Sequence, residues 1–354
     1  MENNDNPMYE TPQVNNEAVT QNEETIITTN DTNVFAQRTD LEIFAQSVAA
    51  IESEIGKVII GQREMLQLLI AGLISGGHVL LEGVPGVAKT LTAKLLAQTL
   101  SIPFSRIQFT PDLMPSDVVG TSVFNPRTTN FEFKQGPVFS NIVLIDEINR
   151  SPAKTQSALF EVMEEKQVTV DGTTHTMQAP FMIIATQNPI EHEGTYRLPE
   201  AQLDRFLFKI NIPYPTVLEE QKILEGAHAL KEKSPLLAIN KIMNATDIVA
   251  LQLQVKNIFA EANLLAYIAK IVVETRNHAA IYLGASPRAS IGILNAAKAI
   301  AAMSGRDFIT PDDIKFVALP VLRHRLILTP DKEMEGVQVD EVVQQIIKDI
   351  EVPR

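Results

Sequence analysis

Apolar residues first appear at regular spacing from Asp40, where Phe44, Val48, Ile51, Ile55 and Ile59 recur every three or four positions. That period predicts an amphipathic helix. It breaks at Ile60-Gly61-Gln62, and a second helix is predicted over about 63–75. The pattern then changes to short continuous apolar runs at 78–82, 104–109, 141–147, 181–189 and 206–212. Runs of this length without alternation read as strands, and the one at 141–147 as a strand buried on both faces of a parallel sheet. Two segments alternate around polar turns: 118–124 with 131–133, and 167–170 with 175–178 around Asp171-Gly172. Both read as hairpins, covering sheet edges or serving a more specific purpose. Pro213-Tyr214-Pro215 closes this part. Beyond it the pattern is helical. Leu264, Ile268, Ile271 and Val272 form one stripe, and Ile291, Leu294, Ala297 and Ile300 another. Thr310-Pro311-Asp312-Asp313 reads as cap, proline and acids opening a further helix. Residues 1–38 are rich in Asn, Glu, Thr and Gln, a composition too polar to offset its ordering entropy, and read as a disordered tail. The expected organisation is a tail over 1–38, an α/β subdomain over 39–213 whose parallel sheet is flanked by helices, and an all-α subdomain with its linker over 214–354.

The strongest chemical signal is Gly83-Val84-Pro85-Gly86-Val87-Ala88-Lys89-Thr90-Leu91. It lies between a predicted strand and a predicted helix, the context of a phosphate-binding loop. Gly83 and Gly86 let backbone N–H groups turn toward a phosphate, and the helix N-terminus points its positive dipole end there. Lys89 is placed to reach the β and γ phosphates, and Thr90 to hold Mg²⁺. Ala88 departs from the glycine of the usual pattern. The run 141–147 ends in Asp146-Glu147, acids at the carboxyl end of a strand, where open α/β sheets bind ligands. Asp146 suits the Mg²⁺ shell and Glu147 a general base. After the next strand, Thr186 and Asn188 are placed to orient a water, although Asn188-Pro189 is also ordinary turn chemistry. Arg205 ends a short predicted helix and could reach a neighbouring subunit or form a surface ion pair. Ser286 reads as N-cap and Pro287 as first helical residue, which puts Arg288 in a first turn. A cation there opposes the helix dipole and suggests a charged partner.

These motifs together resemble the MoxR-type ATPases of the AAA+ class. The carrying segments are 83–90, Asp146-Glu147-Ile148-Asn149-Arg150, Ala185-Thr186-Gln187-Asn188-Pro189, Glu200-Ala201-Gln202-Leu203-Asp204-Arg205-Phe206 and Ser286-Pro287-Arg288-Ala289. The Ala88-Lys89-Thr90 ending is usual in that family. The resemblance implies ATP bound between an α/β P-loop core and a helical lid, with Asn188 as sensor 1, Arg205 as arginine finger and Arg288 as sensor 2. It places Ile60 and Gly61 beside the adenine, although a glycine here also simply ends a helix. It implies homo-oligomeric rings, often hexameric, hairpins near a central pore, and chaperone action on partners carrying a von Willebrand factor A domain.

Composition narrows the remainder. The 354-residue chain is 45% hydrophobic, enough for a large core, and contains no Cys, which excludes disulfides and cysteine chemistry. The six His show no metal spacing, so Mg²⁺ with ATP or ADP is the only metal implied. No apolar run reaches the ~20 residues of a transmembrane helix. Met1-Glu2-Asn3-Asn4-Asp5 is neither basic nor apolar, so a cytoplasmic location is expected. The net charge of −13 argues against a nucleic-acid footprint. A nucleic-acid motor of the same class and a nucleotide-switched scaffold with negligible turnover remain as alternatives.

Overall fold

The structure is a computed structural model that describes residues 41–189, 196, 198–230, 236 and 239–353. The predicted tail over 1–38 lies outside the described residues. Two helices come first, α1 (Glu42–Gly56) and α2 (Arg63–Ile74). In α1 the buried positions Phe44, Val48, Ile51 and Ile55 are those of the helical period. Strand β1 (Val79–Gly83) leads into α3 (Lys89–Thr99) and β2 (Phe104–Gln108). A short helix α4 (Pro115–Val119) precedes the hairpin β3 (Gly120–Asn125) and β4 (Asn130–Gln135). The expected hairpin began earlier, at Val118. Pro115 instead occupies the first turn of α4, and Gly120 at φ +104° turns the chain into the strand.

Strand β5 (Ile142–Asp146) is followed by a 3-10 turn (Ile148–Arg150) and α5 (Ala153–Glu165). The second hairpin is β6 (Gln167–Val170) and β7 (Thr173–Thr176). Its return strand starts two residues earlier than expected. Asp171 and Gly172 both have positive φ and make a two-residue turn of the kind that matches strand twist. Then come β8 (Met182–Gln187), α6 (Glu200–Leu203) and β9 (Phe208–Ile212).

The sheet has the order β2-β5-β8-β1-β9 with every pair parallel. Its central strands are covered on both sides, which is why they lack polar alternation. In β5, Ile142 and Leu144 join one apolar core while Val143 and Ile145 join the other. The carboxyl ends of β5, β8 and β1 therefore lie side by side along one sheet edge, with Leu81 paired to Thr186 and Gln108 to Asp146.

The helical remainder comprises α7 (Val217–Leu230), α8 (Ala245–Lys256), α9 (Ala262–Asn277), α10 (Pro287–Met303), α11 (Pro311–Leu322), α12 (Pro330–Met334) and α13 (Val339–Asp349). A small antiparallel pair, β10 (Ile281–Leu283) with β11 (Ile327–Leu328), is set among the helices. Thr310 and Asp313 form the predicted capping box of α11. The predicted stripe on α10 is displaced. Ile291 is exposed, and the buried face is Ala289, Gly292, Ile293, Ala296 and Ala297. Small residues there let α10 lie close against α2 and α11, while Ala297 of the expected stripe is buried and Leu294 and Ile300 pack on the edge of the core. The described residues cluster as one compact unit, and one apolar core runs from α1 and the sheet into α10 and α11.

Candidate functional site

The site is built on the loop between β1 and α3. Gly86 has φ +90°, a left-handed conformation that glycine adopts without strain. Ala88 also lies in the left-handed region, at φ +59° and ψ +19°. Alanine thus stands where the general pattern has glycine and takes the conformation a glycine would supply, at a cost of ~1–2 kcal/mol. Lys89 Nζ donates to the Gly83 carbonyl at 2.5 Å, folding the amine over the loop. Gln62 Nε2 donates to the Val87 carbonyl at 3.1 Å and ties the segment after α1 to the same loop.

A cavity of about 350 Å³ opens over this loop, lined by Pro85, Gly86 and residues 88–91 together with residues in and just after β2, β5 and β8. Asp146, Glu147, Thr186 and Asn188 all reach it. Asp146 is buried and is the hub of a polar cluster. Thr186 Oγ1 donates to its Oδ1 at 3.1 Å, and Thr90 Oγ1 lies 3.4 Å from its Oδ2. The Glu147 N–H in turn donates to Thr186 Oγ1 at 3.1 Å, which joins the two acids through one hydroxyl. Glu147 itself has φ +58° and begins the 3-10 turn rather than a helix. A non-glycine residue in this region marks a locally strained backbone of the kind found at functional sites.

Two residues absent from the sequence reading complete the cavity. Arg106 Nε pairs with Asp146 Oδ2 at 2.6 Å, and Gln108 Nε2 donates to Glu147 Oε2 at 2.7 Å. Arg150 Nε lies 3.2 Å from the same Glu147 oxygen. The sequence signal was present. In Phe104-Ser105-Arg106-Ile107-Gln108 the polar residues 106 and 108 are two apart and flank apolar Ile107, so both project from one face of β2. Register with β5 then sets them beside the two acids.

A second cavity, of about 940 Å³, lies on the other side of the loop. Ile60, Gly61, Gly83 and Val84 line it with the helical residues Leu319, Arg323, Asp340 and Gln344. Gly61 has φ +84°, and a Cβ there would fall 2.1 Å from Glu219 Oε1. Glycine is favoured at this position by its backbone angle, while the carboxylate end of Glu219 could move aside for a Cβ.

Arg205 and Arg288 reach neither cavity. The Arg205 guanidinium donates to the Phe160 carbonyl, and its Nε is 3.9 Å from Glu164. Arg288 pairs with the same Glu164 at 2.9 Å and approaches Asp204 at 3.6 Å. Ser286 starts α10, but its hydroxyl makes no capping bond and turns instead to Asp204 Oδ2 at 3.2 Å. Thr90 and Asp146 offer hard oxygen donors suited to Mg²⁺, an ion that protein groups bind through one or two carboxylates plus substrate phosphates. Among the described residues no group of three His, Cys, Asp or Glu forms a metal cage.

A parallel sheet with a phosphate-type loop and acids at its carboxyl edge, adjoining a helical subdomain, defines a P-loop nucleotide-binding protein. Residues 78–208 match the model described as "ATPase family associated with various cellular activities (AAA)", and residues 273–346 match the AAA lid domain. The chain is 48% identical to uncharacterized protein YeaC of Bacillus subtilis, with 84% of this chain and 92% of that protein covered. It is 43% identical to chaperone MoxR1 of Mycobacterium tuberculosis, covering 85% and 81%. A crystal structure of a candidate ATPase from Cytophaga hutchinsonii superposes with a TM-score of 0.82 at 41% identity, covering 89% of this chain and 97% of that one. The chain belongs to the MoxR family of AAA+ ATPases. Among the described residues no helix is long and apolar enough to cross a membrane.

Proposed function

We propose that the protein is a Mg²⁺-dependent ATPase that works as a homo-oligomeric ring, a hexamer by family likeness, and remodels protein partners. The observation that carries this reading is the convergence of Lys89, Thr90, Asp146, Glu147 and Asn188 on one cavity above the phosphate-type loop. The loop N–H groups and Lys89 bind the β and γ phosphates, and Thr90 and Asp146 hold Mg²⁺, which supplies countercharge to the phosphates. Ile60, Gly61, Gly83 and Val84 line the cavity suited to the nucleoside end.

Glu147 accepts a proton from a water that Asn188 helps orient. The water oxygen forms a bond to the γ phosphorus, the bond to the β-bridging oxygen breaks, and ADP and phosphate result. Thr186 fixes both acids through its hydroxyl, Arg106 supplies a countercharge to Asp146, and Gln108 with Arg150 restrains the Glu147 carboxylate. Arg205 and Arg288 share Glu164 outside their own cavity, which fits delivery of cationic charge to a neighbouring copy. The α/β subdomain is assigned to 39–213 and the helical lid to 214–354. Partners carrying a von Willebrand factor A domain are proposed from family membership.

Glu147→Gln tests the reading. The amide keeps the shape but cannot take the proton, so ATP binding by titration calorimetry should persist while steady-state phosphate release falls at least ~10²-fold. Turnover near that of the native protein would remove Glu147 as base. With ATP present, the same variant should retain its partners longest in a pull-down.

A further inference from the structure

The helical subdomain grips the chain on both sides of Arg205, and the grip centres on Asp204. Asp204 is the C-cap residue of α6, directly before Arg205. Its carboxylate receives three groups from the helical side: Arg325 Nε at 2.7 Å, Ser286 Oγ at 3.2 Å and Arg288 at 3.6 Å. Arg325 goes further. Its remaining nitrogens donate to the carbonyls of Asp204 at 3.0 Å, Phe206 at 2.6 Å and Leu207 at 3.2 Å. The neighbouring His324 places Nε2 3.0 Å from the Phe206 carbonyl. Arg325 is almost wholly buried, with its side chain 3% exposed. Its remaining N–H donates to the Val321 carbonyl of α11, so the guanidinium ties that helix to one short backbone stretch and fixes the path of the stretch.

From this arrangement we infer that Asp204 is a positioning residue. It joins the helical subdomain to Arg205, so the position of that subdomain sets whether Arg205 can serve a neighbouring copy. The inference rests on the reading that Arg205 acts on a neighbour's nucleotide. Asp204, Phe206 and Leu207 bracket Arg205 directly, and all three are bonded to Arg325. Arg325 follows α11, while Ser286 and Arg288 open α10. Any shift of these helices relative to the sheet, such as one driven by filling the cavity that Leu319 and Arg323 of the same region line, must carry the 204–207 backbone or break these bonds. Asp204 itself touches neither nucleotide cavity, so its removal should spare binding in its own subunit.

The test is complementation between inactive copies. Asp204→Asn keeps the shape and removes the charge that holds Arg325, Ser286 and Arg288 together. Alone it should bind ATP within about 2-fold of the native protein, yet turn over about 10²-fold slower, the scale expected when a reacting group is displaced by about 1 Å. Mixed with Glu147→Gln, which retains a sound Arg205 but a dead pocket, it should recover activity above the sum of the two proteins measured alone. A lesion confined to folding or to the mutant's own site would show only that sum. Native turnover in Asp204→Asn, or no recovery on mixing, overturns the inference. The mixture of Arg205→Ala with Glu147→Gln separates the two levels: if that pair also fails to recover, the reading of Arg205 itself falls. Should Asp204→Asn not fold by circular dichroism, Arg325→Lys keeps the cation, loses the fork on Phe206 and Leu207, and must show the same recovery.

Discussion

Replacing His78 by Gln should remove a specific acid sensitivity from this protein. His78 precedes β1 and is buried. Its Nε2 lies 3.1 Å from the Met163 carbonyl and its Nδ1 accepts the Ile183 N–H at 3.0 Å. The ring meets Phe181 edge-on at 5.6 Å. Only the neutral tautomer with the proton on Nε2 satisfies both bonds. A second proton would face the Ile183 N–H inside the core. Burial therefore pushes the His78 pKa from 6.5 down to about 4, with the Lys166 charge adding to the effect and the Met163 bond opposing it.

Above pH 6.5 the imidazole is neutral in both folded and unfolded chains and contributes no pH dependence. Between 6.5 and 4 the unfolded chain binds a proton that the folded chain does not, so stability falls as pH falls. Below about 4 the loss is complete. At about 1.4 kcal/mol per pH unit the whole window amounts to ~3 kcal/mol. For a domain of this size that corresponds to a drop in Tm of roughly 5 °C. The chain has no Trp, so the assay is thermal unfolding followed by far-ultraviolet circular dichroism at half-unit steps from pH 7 to pH 4. His324 and the carboxylates add their own acid dependence, but they cancel in the difference between native and His78→Gln curves. The argument is refuted if the two curves run parallel from pH 6.5 to 4, or if the His78 ring titrates near 6.5 by NMR in the folded protein.

Three further outcomes follow from the same contacts. Lys89→Ala should weaken ATP binding about 10- to 10²-fold, the equivalent of the ~1.5–3 kcal/mol of a charge-assisted hydrogen bond, with native Tm; titration calorimetry checks it. Gln108→Ala should leave ATP affinity unchanged and lower turnover about 10-fold or more, because Glu147 loses its 2.7 Å restraint; equal or faster turnover would count against this. Asp313→Ala should destabilise by about 2 kcal/mol in urea unfolding, since it removes the N3 carboxylate of the α11 capping box and leaves Arg306, forked on that carboxylate at 2.8 and 2.6 Å, without its acidic partner.

The chain carried its architecture openly wherever one local rule decided the outcome. The run 142–146 is apolar throughout because both faces of β5 are buried, and such a run can scarcely be anything else. The phosphate-type loop is equally legible, because Gly86, Lys89 and Thr90 act within eight residues of one another. So are the helix α1, with one face apolar, and the cap of α11, where Thr310 and Asp313 are three residues apart.

What tertiary structure decided involves residues distant in sequence or chosen by size. The buried face of α10 falls mainly on alanines and a glycine around Ile293, because close helix packing rewards small side chains, and Ile291 is left outside. Arg106 and Gln108 become site residues only through the parallel register that sets β2 against β5. Asp204 and Arg325, 121 positions apart, meet because the helical subdomain folds back onto the segment before β9. Local periodicity specifies which face of an element is apolar, but it contains no information about which face of another element it will meet. The acids and the loop could be read from the sequence by itself; the polar partners that orient them, and the separation of Arg205 and Arg288 from their own cavity, arise only once the sheet is assembled and the helices are packed on it.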